Sequence, residues 1–245
     1  MKFYTKQLCE QTQVWSFLMN FTNRDEDEES IKENKEWYHE QGRDYEAEQK
    51  QNYEKSYKET EPFLLKYLPV SLRSAIYGEF LIYGKIPNQN LMVEIEKYSK
   101  ILNDLIFNDS DTNIGKAYSR HYKKIQKFLP KDIQGLNEEY SFHDSQILSF
   151  EQTSKDEIII KLKCEGSYLP SDGVAILTFS NVKLAEIGDD YIGNWWLWDE
   201  THLSNIGNFD FQALFHSYNS NGEHSLNDLR VVANQVSLSF LDIKG

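Results

Sequence analysis

The chain has 245 residues, 40% of them hydrophobic, 27% charged and 14% aromatic. That length and aromatic content exclude a disordered polypeptide and allow one large or two small domains with a real core. A formal net charge of -13 disfavours nucleic acid and anionic lipid as partners and favours basic ones.

Tyr4, Leu8, Trp15 and Leu18 recur at helical spacing and predict an amphipathic helix over Thr5 to Phe21. The acidic run Asp25-Glu26-Asp27-Glu28-Glu29 follows, near a helix start where negative charge complements the dipole. From there to Thr60, Tyr38, Tyr45, Tyr53 and Tyr57 sit near multiples of a helical turn. This predicts one long helix with a narrow aromatic seam. Pro62 and Pro69 then punctuate the chain around a short apolar piece. Further helices are expected over Leu72 to Tyr83, ending near Gly84, and from an Asn88 N-cap through Leu91, Ile95, Tyr98, Leu102 and Ile106. Another is expected from about Thr112 to Leu129, stopped by Pro130.

The character changes at Phe142-His143-Asp144-Ser145-Gln146-Ile147. Ile158, Ile160 and Leu162 alternate with Ile159, Lys161 and Lys163, a strand with one buried face. Val174 to Phe179, Trp196 to Trp198, Phe209 to Phe215 and Val236 to Leu241 predict further strands, and Leu226 to Val236 fits helix or strand, with strand preferred. Turn signals at Ser171-Asp172-Gly173, Gly188-Asp189-Asp190, Gly207-Asn208 and Asn219-Ser220-Asn221-Gly222 separate them. The expected fold class is therefore α+β. A helical region over 1–140, with a long acidic helix, precedes an antiparallel β domain over 141–245, built as a sandwich or a strongly curved sheet.

His143, Asp144 and Ser145 have the residue types of a hydrolase relay, but neighbours on a strand point to opposite faces and no nucleophile elbow surrounds them. They read better as turn chemistry at the start of the sheet. His143, His202, His216 and His224 lack the spacing of a metal site, so no metal ligands are assigned. Phosphate-loop and dinucleotide signatures are absent, and no cofactor is expected. Cys9 and Cys164, one in each half, read as free thiols in a reducing compartment. With no signal peptide and no apolar run of membrane-spanning length, the expected location is the cytoplasm.

Strand alternation puts Trp196 and Trp198 on one face and Trp195 on the other. One face builds the core; Trp196, Trp198, Asp199 and Glu200 are also the residues of a possible protein-binding patch, because tryptophans concentrate at binding hot spots. Tyr38 and Tyr45, on the acidic helical segment, offer a second surface suited to a basic protein.

Three stretches together carry a resemblance: Phe142-His143-Asp144-Ser145-Gln146-Ile147, Leu177-Thr178-Phe179-Ser180-Asn181-Val182 and Trp195-Trp196-Leu197-Trp198-Asp199-Glu200, with the opening Met1-Lys2-Phe3-Tyr4-Thr5-Lys6-Gln7-Leu8. With these the chain resembles a family of bacterial proteins, mostly from Firmicutes, designated domain of unknown function 4085. That family implies no catalytic residues. The sheet half is also similar to a wider group that includes a polymorphic-toxin immunity family, in which a His-Asp step precedes a strand. This similarity implies tight binding of a toxin without catalysis. The expectation is a cytoplasmic, non-enzymatic binding protein with a basic partner such as a toxin. Its rival is a hydrolase or metal-dependent enzyme using His143 and Asp144.

Overall fold

The structure, a computed structural model, describes residues 1–22, 28–76, 89–106, 113–170, 173–218 and 224–241. Asp25 to Asp27, Tyr83, Gly84, Asn88, Thr112, Ser171, Asp172 and the Asn219–Gly222 turn lie outside them. The chain divides into two compact units. One comprises residues 7–113; the other joins residues 1–6 to residues 114–245.

The 7–113 unit is helical. Its helices are α1 (Lys6–Thr22, whose first residue belongs to the other unit), α2 (Glu28–Glu40), α3 (Tyr45–Tyr67), α4 (Val70–Ile76) and α5 (Gln89–Ile106). Val14, Phe17 and Leu18 of α1 meet Leu64, Leu68 and Leu72 around the end of α3 and the start of α4, with Ile95 and Leu102 of α5. The acidic segment is two helices where one was expected. Gly42 takes a left-handed φ of 67° after α2, a conformation that costs other residues more. Asp44 then caps α3, accepting from the backbone N–H groups of Glu46 and Ala47 at 3.0 and 3.1 Å. Pro62, expected to punctuate the chain, lies within α3. The buried Leu64 and Leu68 beyond it carry the apolar stripe into the core, and that burial outweighs the lost backbone bond.

The other unit carries α6 (Ile114–Ile125), a 3-10 turn (Gln126–Phe128), α7 (Lys131–Glu139) and eight strands: β1 (Gln146–Ser154), β2 (Glu157–Lys163), β3 (Val174–Ser180), β4 (Leu184–Ile187), β5 (Trp195–His202), β6 (Phe209–Tyr218), β7 (His224–Ala233) and β8 (Gln235–Leu241). The helix α7 has no counterpart in the sequence reading, which took Pro130 only as a stop. Here Pro130 is the N-cap of α7, because a residue without an N–H suits a helix start. Ile133 and Leu136 anchor α7 in the core, and Asp132 accepts from the N–H of Val236 on β8 at 2.8 Å.

The strands form one open antiparallel sheet in the order β4-β7-β6-β5-β1-β2-β3-β8. Four strand spacings separate β6 from β3, about 19 Å in a flat sheet. Yet the rings of Phe211 on β6 and Phe179 on β3 are 5.2 Å apart. The sheet is therefore strongly curved, and its concave face encloses Ile158, Ile160, Leu162, Leu177, Phe179, Trp196, Phe211 and Phe215. The expected alternation of β2 is met, with Ile158, Ile160 and Leu162 all fully buried. The switch from helix to strand falls near residue 141, whereas the compact units divide at 113/114, since α6 and α7 pack with the sheet.

Candidate functional site

The join between β1 and β5 is the thinnest place in the sheet, with a single registered pair, Gln146 with Trp195. The His143-Asp144-Ser145 turn reinforces it. Asp144 adopts φ 63°, a left-handed conformation that Asp tolerates better than most residues. Its N–H reaches the carbonyl of Trp196 at 3.0 Å, and the Trp196 N–H reaches the carbonyl of Ser145 at 2.8 Å. Ser145 is fully buried, and its hydroxyl donates to the carbonyl of Phe142 at 2.6 Å. That hydroxyl is engaged in closing the turn. His143 Nδ1 lies 3.1 Å from Asp144 Oδ1, both side chains being partly exposed, and its ring meets Tyr168 edge-on. His216, opposite Trp195 on β6, is half-sheltered nearby. Burial lowers its pKa and His143 lowers it further, while Asp144 opposes them.

Strand β5 does not keep simple alternation. A register shift between Trp196 and Trp198 makes Leu197 a bulge residue, and a bulge reverses which side chains share a face. Trp196 and Trp198, expected on one face, are on opposite ones. Trp196 is fully buried against Phe142 and Phe215, both at 4.9 Å, and its Nε1–H donates to Asp199 Oδ2 at 3.0 Å. Burial raises the Asp199 carboxyl to about 6, helped by the neighbouring Glu200 and opposed by the Trp196 bond and His143.

The convex side of β5 then presents Trp198, Glu200 and His202 to a strap formed by residues 2–4. Glu200, fully buried, accepts from the backbone N–H groups of Lys2 at 2.9 Å, Phe3 at 2.8 Å and Tyr4. It also faces His202 Nε2 at 2.8 Å. Burial works against ionisation here, but those hydrogen bonds, the His202 one foremost, hold the carboxyl below its ordinary range. His202 Nδ1 in turn lies 3.0 Å from His121 Nε2 on α6. The Phe3 ring lies tilted against His121 with centroids at 5.3 Å and stacks with His202 at 6.3 Å, and Tyr4 stacks on Trp198 at 5.5 Å. Tyr118 of α6 accepts the Thr201 N–H at 2.7 Å, on the edge of β5 that outruns β1.

Strap, strand and helix are thus tied by one chain of hydrogen bonds from residues 2–4 through Glu200 and His202 to His121. Sequence reasoning named Glu200 and His202 separately and missed His121, Tyr118, Phe3 and Tyr4 as their partners. The available signal was the two-residue spacing of Glu200 and His202, which puts both on one strand face. Tyr38 and Tyr45 sit in the helical unit, their rings edge-to-face at 5.3 Å across the α2–α3 turn. Among the described residues no group of three or more His, Cys, Asp or Glu side chains is placed to hold a metal ion, and no helix is long and apolar enough to cross a membrane.

A family model described as "Protein of unknown function (DUF4085)" matches residues 3–221. The chain belongs to that family. The DUF4085 match begins within the strap and runs through β6, so the Phe3–Glu200 contact and the His121–His202 pair lie wholly inside it, while β7 and β8 lie beyond it. No curated protein and no solved structure matches the chain.

Proposed function

We propose that the protein is a cytoplasmic, non-enzymatic binding protein that captures a basic protein partner, a toxin being the kind of partner that the sequence resemblance of the sheet half implies. The observation that carries the reading is the surface of α2 at its turn into α3. Trp37 is half-exposed there, and the exposed Glu33 and Glu40 lie one helical turn before and after it, beside Glu36. Arg43 already rests against this surface, its guanidinium 4.6 Å from the Tyr38 ring and 5.8 Å from the Trp37 ring. An aromatic face rimmed by carboxylates attracts a cation by its quadrupole and by charge together. The non-enzymatic part of the reading draws on Ser145 and Glu200, whose polar atoms are engaged within the fold.

The test is co-expression with the product of a neighbouring toxin-like reading frame, followed by co-purification. Rescue of growth and a complex that weakens at high salt are the expected results. Trp37→Ala should lower affinity by about 2 kcal/mol, the scale of an aromatic hot spot. Failure to rescue would sink the toxin version, and full affinity in both Trp37→Ala and Glu40→Gln would remove this surface from the reading.

A further inference from the structure

We propose that the outer face of α6 and of the 3-10 turn after it is a docking surface for an anionic lipid bilayer, with lysines on the headgroups and the Phe128 ring at the boundary of the acyl chains. The inference goes beyond the reading of α2 and is independent of it. It starts from charge pattern. Residues 113–131 contain Lys116, Arg120, Lys123, Lys124, Lys127 and Lys131 and no Asp or Glu, in a chain where acidic residues outnumber basic ones 39 to 26. With 3.6 residues per turn, the four cations within α6 fall in an arc of about 100°. The opposite side of the helix carries Tyr122 and Ile125, which pack against the core, and Tyr118, which accepts the Thr201 N–H. Packing on the sheet therefore turns the basic arc outward, and Arg120, Lys123, Lys124 and Lys127 are exposed. Among the described residues Lys123, Lys124 and Lys127 take part in no ion pair. Two carboxylates of α7 are engaged by amides: Asp132 accepts from the N–H groups of Ile133 and Val236, and Glu138 from the side chain of Gln126.

A solvated lysine face alone selects no partner. Phe128 does. It is 63% exposed at the corner where the 3-10 turn meets Pro130 and α7, with Lys127 Nζ 4.8 Å from its ring centroid and the exposed Lys131 just beyond. An apolar tip collared by cations fits an anionic bilayer, which offers phosphates and acyl chains at adjacent depths. A nucleic acid strand is the poorer fit, because its successive bases call for several aromatic rings along a basic groove, and here one ring stands at the end of a helix. The net charge disfavours anionic lipid for the chain as a whole but does not govern this face. Exposed charges farther away than about 8 Å are largely screened at physiological ionic strength.

Cosedimentation of the full chain with vesicles tests the surface. Phosphatidylcholine vesicles with about 30% phosphatidylserine should retain the protein and pure phosphatidylcholine should not, and retention should fall as salt is added. Lys123→Gln combined with Lys127→Gln should weaken binding about thirtyfold. Phe128→Ser should weaken it about tenfold while leaving the salt dependence in place, which separates the ring from the charges. All three positions are exposed, so the fold tolerates these changes. Equal retention by the two vesicle types, or undiminished binding in the double lysine variant, would overturn the proposal. Capture of a single-stranded RNA oligonucleotide or of polyglutamate through the same lysines, without retention on vesicles, would overturn it too and reassign the face.

Discussion

Asp199 and Glu200 are adjacent carboxylates with opposite electrostatics, because their side chains meet different donors. Glu200 faces three backbone N–H groups and an imidazole, whereas Asp199 has the Trp196 indole. With its pKa raised from the ordinary 3.8 to about 6, Asp199 contributes stability that is complete below 3.8 and lost as pH rises through 6. Asp199→Asn keeps an acceptor for the indole and removes the charge. It should stabilise the protein by up to about 3 kcal/mol above pH 6.5 and by much less near pH 4.5, as read by urea unfolding at the two pH values. Ser145→Ala should cost about 1 kcal/mol at either pH by removing the hydroxyl's bond to the Phe142 carbonyl, which keeps the Ser145 backbone N–H as a donor, with no change in partner binding. Of the residues singled out from the sequence, Ser145 was legible as a turn residue because its neighbours supply the turn chemistry. Glu200 was read as a charge in a protein-binding patch and its strap partners were not legible, since they lie some two hundred positions away and backbone N–H groups leave no mark in a sequence.

At the level of elements, what was legible was what depends on local periodicity. The alternation of Ile158, Ile160 and Leu162 marked β2, and the stripe from Leu91 to Ile106 marked α5. What escaped depends on single backbone conformations. Gly42 splits the acidic segment at a φ of 67°, and one glycine among helix-forming residues reads as a tolerated interruption. No heavy atom lies within 4 Å of a Cβ built at Gly42, so Gly42→Ala isolates the cost of the conformation, about 1 kcal/mol. Asp44→Ala should cost a similar amount by uncapping α3. Thermal unfolding of the two variants and their combination measures both. The Leu197 bulge is the same kind of event in β5: one extra residue reversed the faces of Trp196 and Trp198, and nothing in the composition of Trp-Trp-Leu-Trp announces it.

At the level of the molecule, the sheet unit is discontinuous in sequence, since residues 1–6 belong with 114–245. Its convex face therefore depends on donors encoded at the far end of the chain, and that dependence can be measured as a coupling energy. In the full chain, Glu200→Gln puts an amide where an ionised acceptor meets four donors, and should cost about 3 kcal/mol. A chain shortened to begin at Thr5 loses the three strap N–H groups and the Phe3 and Tyr4 rings, leaving Glu200 open to water beside His202. In that background the same substitution should cost less than about 1 kcal/mol, because a solvated carboxylate and a solvated amide differ little. The difference, about 2 kcal/mol by double-mutant cycle, is the energy with which the strap and Glu200 recognise each other. Additivity within about 0.5 kcal/mol would mean that the strap is held by its aromatic rings alone, and that Glu200 is compensated by His202 without it.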